Sequence, residues 1–143
     1  MIRKAKAVWR GTGRAGNGTL STDSGVLADT PYSYTTRFEN EKGTNPEELI
    51  AAAHAGCFTM ALSAQLGTIN FVAESLRTVA TVSLEKLDAG WTISLIHLEV
   101  TGKVPGISPS AFQAAADSAK ANCPVSRLLK AEITMAAVLE QTP

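Results

Sequence analysis

Residues 44–67 read TNPEELIAAAHAGCFTMALSAQLG, and this stretch decides the fold class. Asn45 or Thr44 is placed to cap a helix, Pro46 sits at its first position, and Glu47 and Glu48 complement the positive end of the helix dipole. Gly67 is expected to end it, so the spacing predicts a helix over 46–66, about 30 Å long. The centre, LIAAAHAGCFTMAL, is apolar or small on every face and must therefore be covered on every side. His54, Ser63 and Gln65 interrupt the apolar run, which suits the buried helix of a soluble protein better than a membrane span.

Upstream, residues 4–10, 19–22 and 32–38 read as short strands, the first two joined by a turn rich in glycine (Gly11, Gly13, Gly16, Gly18). Downstream, residues 76–87 and 91–100 read as long strands around a turn at Asp88, Ala89 and Gly90. A second helix should run from Pro109, capped by Ser108, to about Ala121, where Cys123-Pro124 breaks it, and residues 133–140 read as a last strand. Three short strands, a helix, a hairpin, a helix and a strand make an α+β fold with antiparallel sheet. No repeat or linker divides the chain, so residues 1–143 are read as one domain, and at this length about 70% of the unfolded surface can be buried.

Thirteen Lys and Arg balance thirteen Asp and Glu, which argues against nucleic acid and against an anionic membrane as partners. The opening MIRKAKAVWRGTG spreads its charges and carries no apolar run of the signal type, so a cytoplasmic location is expected. Two cysteines in a reducing compartment are core residues, metal ligands or redox groups more often than structural disulfides.

Cys57 and Cys123 are the two strong soft nucleophiles, so redox chemistry without a cofactor must pass through them. Cys57 lies inside the long helix between Gly56 and Phe58; Cys123 lies at a helix end before Pro124. Three other readings compete. Both cysteines can be inert core residues of a binding scaffold. His54 and Cys57, three apart on one helical face, can bind zinc together with Cys123, although the close ligand pairs of structural zinc sites are missing and His97 sits in a strand pattern. A cysteine hydrolase dyad lacks both an oxyanion loop and a third orienting group. His54 is most simply a helix residue in a partly polar pocket.

The run TRFENEKGTNPEELIAAAHAGCFTMAL and, further on, NCPVSRLLKAEIT closely resemble the OsmC (osmotically inducible protein C) family of hydroperoxide peroxidases. GTLSTDSGVL and VSLEKLDAGW extend the likeness over nearly the whole chain and place it in the OsmC subgroup. The resemblance implies antiparallel sheets packed around a long central helix in an intertwined dimer, and a role in oxidative or osmotic stress. It implies Cys57 as the peroxidatic cysteine, Cys123 as the resolving one, and Glu47 as the active-site glutamate. Arg37 of TRFE is the expected arginine, with Arg14 the other choice, because the related organic hydroperoxide resistance subgroup takes its arginine from an early glycine-rich loop. No metal or cofactor is implied. Arg37 would favour the thiolate of a cysteine in apolar surroundings, lowering its pKa, and Glu47 would hold the guanidinium through a bidentate pair. The substrate would be an organic hydroperoxide, with the apolar helix and Phe58 receiving its carbon tail, and the reductant a dithiol such as a dihydrolipoyl protein. The alternative at this stage is a redox-inert stress-response scaffold with buried cysteines. On one straight helix Glu47 and Cys57 stand about 15 Å apart along the axis, so a homodimer that brings Glu47 of one chain to Cys57 of the other is expected.

Overall fold

A computed structural model describes residues 1–141. They form two units, Met1–Leu49 and Ile50 onward, each built on its own three-stranded sheet.

In the first unit, β1 (Ala5–Arg10), β2 (Asn17–Thr22) and β3 (Thr30–Ser33) make an antiparallel meander in which Trp9 faces Gly18 and Gly18 faces Tyr32. The β1–β2 turn closes tightly: a Cβ on Gly16 would lie 2.4 Å from the carbonyl oxygens of Arg10 and Thr12, so only glycine fits there. The strand expected over 32–38 stops at Ser33. Its hydroxyl accepts the backbone N–H of Thr36 while the Thr36 hydroxyl accepts that of Ser33, and this reciprocal cap starts helix α1 (Tyr34–Phe38) instead. Local side-chain bonding to the backbone overrides the β preference of the aromatic and threonine residues. Asn45 then caps the long helix α2 (Pro46–Thr68), its Oδ1 accepting the Glu48 N–H at 2.8 Å while its amide donates to the Thr36 carbonyl of α1.

Helix α2 continues past its expected stop. Gly67 stays helical, and the reversal falls at Asn70, whose φ of 62° is left-handed, with the Phe71 N–H returning to the Leu66 carbonyl. Of the 23 residues, His54, Phe58, Leu62 and Leu66 are the buried ones, a single stripe at i, i+4 spacing, whereas Met60 is 76% exposed. The complete covering expected of an all-round apolar helix is thus not supplied by the described residues of the second unit. By length and composition α2 is also apolar enough to cross a membrane.

In the second unit the α2 stripe packs on β5 and α3. Strands β4 (Ser75–Leu87) and β5 (Gly90–Lys103) form the expected hairpin, Leu87 pairing with Gly90. Ile96, Leu98 and Val100 alternate inward from β5 and join Phe58, Leu62 and Leu66. Helix α3 (Pro109–Asn122), capped by Ser108, adds Phe112, Ala115, Ala116 and Ala119. Strand β6 (Glu132–Leu139) departs from expectation: it pairs with β5 in parallel, Ile96 opposite Ile133 and Leu98 opposite Met135. The reason is the connection, because the segment carrying α3 and the short helix α4 (Pro124–Leu128) crosses back over the sheet, and such a crossover returns the chain in the same direction.

Gly102 on β5 is squeezed by this packing: a Cβ there would meet the Phe112 ring at 2.6 Å and Leu76 at 3.1 Å. Gly102→Ala is expected to lower unfolding stability by about 1–3 kcal/mol through overpacking. Gly67→Ala, in open space on α2, should raise it by about 0.4–1 kcal/mol. Urea denaturation of both variants checks the opposite signs.

Candidate active site

The packing of α2 decides what surrounds Cys57. Three residues before it, His54 is on the buried stripe; one residue after it, Phe58 points into the core and is fully buried. Phe58 is therefore not free to receive a substrate tail, contrary to expectation, because its i+4 relation to His54 and Leu62 turns it onto β5 and α3. Cys57 itself is half-buried, at the edge of the stripe.

Cys123 ends α3, its backbone N–H still bonded to the Ala119 carbonyl, and Pro124 opens α4 behind it. Its side chain is fully buried. The two cysteines, 66 residues apart in sequence, are both free thiols with their Sγ atoms 3.0 Å apart. A disulfide needs about 2.05 Å, so closing the bond calls for a shift of about 1 Å.

The two thiols are shifted in opposite directions. Burial pushes the Cys57 thiol up, the neighbouring Cys123 adds to the rise, and the Val125 N–H opposes it. Among the described residues Cys57 is therefore raised, not lowered as expected of a thiol beside Arg37. Burial also pushes Cys123 up, but the Cys57 thiol, the N–H groups of Ser126 and Val125 and the Ser126 hydroxyl together outweigh it, and Cys123 is lowered. Physically, the first proton to leave yields a thiolate that accepts the remaining S–H, and the second must leave beside a negative charge.

Ser126, which sequence reading left unassigned, also meets His54: Nε2 of the histidine lies 2.8 Å from Ser126 Oγ. The signal for it was its place three residues after Cys123, just behind a proline that starts a helix. His54 Nδ1 is buried and has no hydrogen-bond partner among the described residues, and burial lowers the His54 pKa. His97 Nδ1 lies 2.6 Å from Thr134 Oγ1 across β5 and β6. Among the described residues no three His, Cys, Asp or Glu side chains gather as a metal site.

In the first unit, Arg37 lies in the last turn of α1 and Glu47 in the first turn of α2. Arg37 Nε donates to both Glu47 oxygens at 3.1 and 3.2 Å, and Nη2 to Oε1 at 2.6 Å. Glu47 is well shielded, its side chain 12% exposed against 36% for Arg37, so the carboxylate fixes a guanidinium that keeps an open side. Arg14 lies elsewhere, its guanidinium 5.3 Å from the centre of the Tyr34 ring and not on Glu47. The Arg37–Glu47 pair belongs to the first unit and the thiol pair to the second.

Two reduced cysteines set sulfur to sulfur beside a long central helix in an α+β fold define a dithiol protein suited to two-electron sulfur chemistry. The sequence pattern of the family described as OsmC-like protein matches residues 39–137. Peroxiredoxin OsmC of Escherichia coli K12 is 56% identical over 133 residues, 93% of each chain. Organic hydroperoxide resistance protein OhrA of Bacillus subtilis 168 is 34% identical, over 85% of this chain and 84% of its own. The crystal structure of organic hydroperoxide resistance protein OhrB of Bacillus subtilis superposes with a TM-score of 0.72 at 29% identity, over 96% of this chain and 98% of that one. This chain belongs to the OsmC-like protein family.

Because the second thiol of the pair ionises beside a thiolate, the wild-type protein should titrate in two separated steps. Cys123→Ala should titrate in one step that lies below the upper wild-type step, since burial still raises Cys57 but the part of the rise that Cys123 adds is gone. Thiolate absorbance at 240 nm against pH measures both.

Proposed function

We propose that this chain reduces organic hydroperoxides to alcohols through a Cys57 sulfenic acid and a Cys57–Cys123 disulfide, acting as one domain over residues 1–143. It is a peroxiredoxin-type enzyme, and the observation that carries the two-cysteine cycle is the 3.0 Å approach of two free sulfurs. The Cys57 thiolate attacks the distal oxygen, alcohol leaves, and the sulfur is left as sulfenic acid. Cys57 takes the first role because it is the half-buried member, reachable by a peroxide, while Cys123 is sealed behind it. Condensation with Cys123 expels water, and an external dithiol, of the dihydrolipoyl kind, resets the pair in the cytoplasm. The inert-scaffold alternative has no use for two sulfurs at this separation.

Arg37, steered by Glu47, supplies the positive charge that the raised Cys57 thiol lacks and polarises the peroxide. The support is that Glu47 has taken Arg37 as its partner and not Arg14. A second copy of the chain supplies this pair and covers the open face of α2, where Ala53, Gly56, Met60 and Ala64 are exposed. Small residues there allow two helices to approach closely, and a two-fold axis gives two equivalent sites. The same face offers the apolar surface for the carbon tail of the peroxide that Phe58 does not.

Cys57→Ser should abolish reduction of cumene hydroperoxide, and Cys123→Ser should react once and stop at sulfenic acid; mass spectrometry after one equivalent reads both. Retention of both thiols in the wild-type protein would instead support the inert scaffold.

For the shared site, sedimentation should show a dimer at micromolar concentration, and mixing inactive Cys57→Ser with inactive Glu47→Ala chains should return part of the activity in the heterodimer. A monomer, or no recovery in verified heterodimers, overturns the sharing.

A further inference from the structure

Two contacts join helix α2 to the segment that follows α3. His54 and Cys57 stand three apart on α2; Cys123 and Ser126 stand three apart on the facing segment. His54 meets Ser126 at 2.8 Å and Cys57 meets Cys123 at 3.0 Å, so one helical step on each side is matched by one cross-contact. We propose that His54 and Ser126 are positioning residues for the second half of the cycle, their side-chain contact holding Cys123 against Cys57. This rests on the reading of Cys57 and Cys123 as the redox pair.

The direction of the donors follows from the histidine. If Nε2 carries the proton, it donates to Ser126 Oγ, the Ser126 hydroxyl is free to donate onward, and only a lone pair at Nδ1 goes unmatched. If Nδ1 carries it, the hydroxyl is spent on Nε2 and a buried N–H has no acceptor among the described residues. The first arrangement satisfies more groups. It leaves the Ser126 hydroxyl unspent, and that hydroxyl is among the groups that favour the Cys123 thiolate. His54 is fully buried, so its ring is held by packing and fixes the place of Ser126 beside α2.

In the step itself the Cys123 thiolate attacks Cys57 Sγ. The sulfur–sulfur bond forms as the sulfur–oxygen bond of the sulfenic acid breaks, and the hydroxide leaves as water with the proton that Cys123 gave up. No further oxidant or reductant enters.

The test separates closure from first attack and does not require a peroxide. Wild-type protein mixed with 5,5′-dithiobis(2-nitrobenzoate) should release thionitrobenzoate in two phases, the first as Cys57 forms the mixed disulfide and the second as Cys123 displaces the remaining group. Ser126→Ala should slow the second phase at least tenfold and leave the first within twofold, and Ser126→Thr, which keeps the hydroxyl, should restore it. His54→Leu should slow closure as Ser126→Ala does. If that variant misfolds, the alanine and threonine pair still decides. Closure at the wild-type rate in Ser126→Ala, or equal slowing of both phases in Ser126→Ala and Ser126→Thr, overturns the proposal. Wild-type protein treated in parallel with cumene hydroperoxide reports on the peroxidase reading by itself: failure there with biphasic release intact removes the peroxide and leaves the positioning pair standing.

Discussion

The seating of one helical stripe governs the second unit. His54, Phe58, Leu62 and Leu66 lock α2 onto Ile96, Leu98 and Val100 of β5 and onto the alanine face of α3. Burying Phe58, Leu62 and Leu66 contributes roughly 1.5–3 kcal/mol each, enough that α2 cannot rotate about its axis without losing the core. With the rotation fixed, Cys57 can only stand at the edge of the stripe, and the end of α3 can only deliver Cys123 opposite it. The reactive geometry is a by-product of core packing, and the sulfurs themselves need contribute nothing to hold it.

Much of this was legible in the residues. Pro46 with its two glutamates announces the start of α2, and Ser108-Pro109 announces α3, because caps and prolines act locally and context seldom overrules them. The Asp88-Ala89 turn likewise fixes the hairpin. What escaped depends on contacts that no local pattern encodes. Tyr34–Phe38 carries residues typical of strands yet is helical through the Ser33–Thr36 cap, and β6 joins in parallel because a crossover, not a hairpin, precedes it.

The candidate site shows the same division. Cys57, Cys123, Arg37 and Glu47 were nameable from sequence, but apolar periodicity could not say which side of an all-apolar helix would be covered. Phe58 was accordingly given a substrate role that its complete burial excludes. Ser126 was invisible for the opposite reason: a serine near a helix start has many ordinary uses, and only the fold brings His54, 72 residues away, against it.

The parallel return of β6 has a consequence for the energetics of oxidation. The crossover that makes it possible is the segment carrying Cys123, so a bond to Cys57 would close a loop that encloses β4, β5 and α3. A covalent loop spanning 66 residues restricts the unfolded chain by about 4 kcal/mol in the chain-entropy description. Linkage makes this reciprocal: by whatever amount the bond stabilises the fold, the fold stabilises the bond. A reductant acting on the intact protein therefore works against tertiary structure as well as sulfur chemistry.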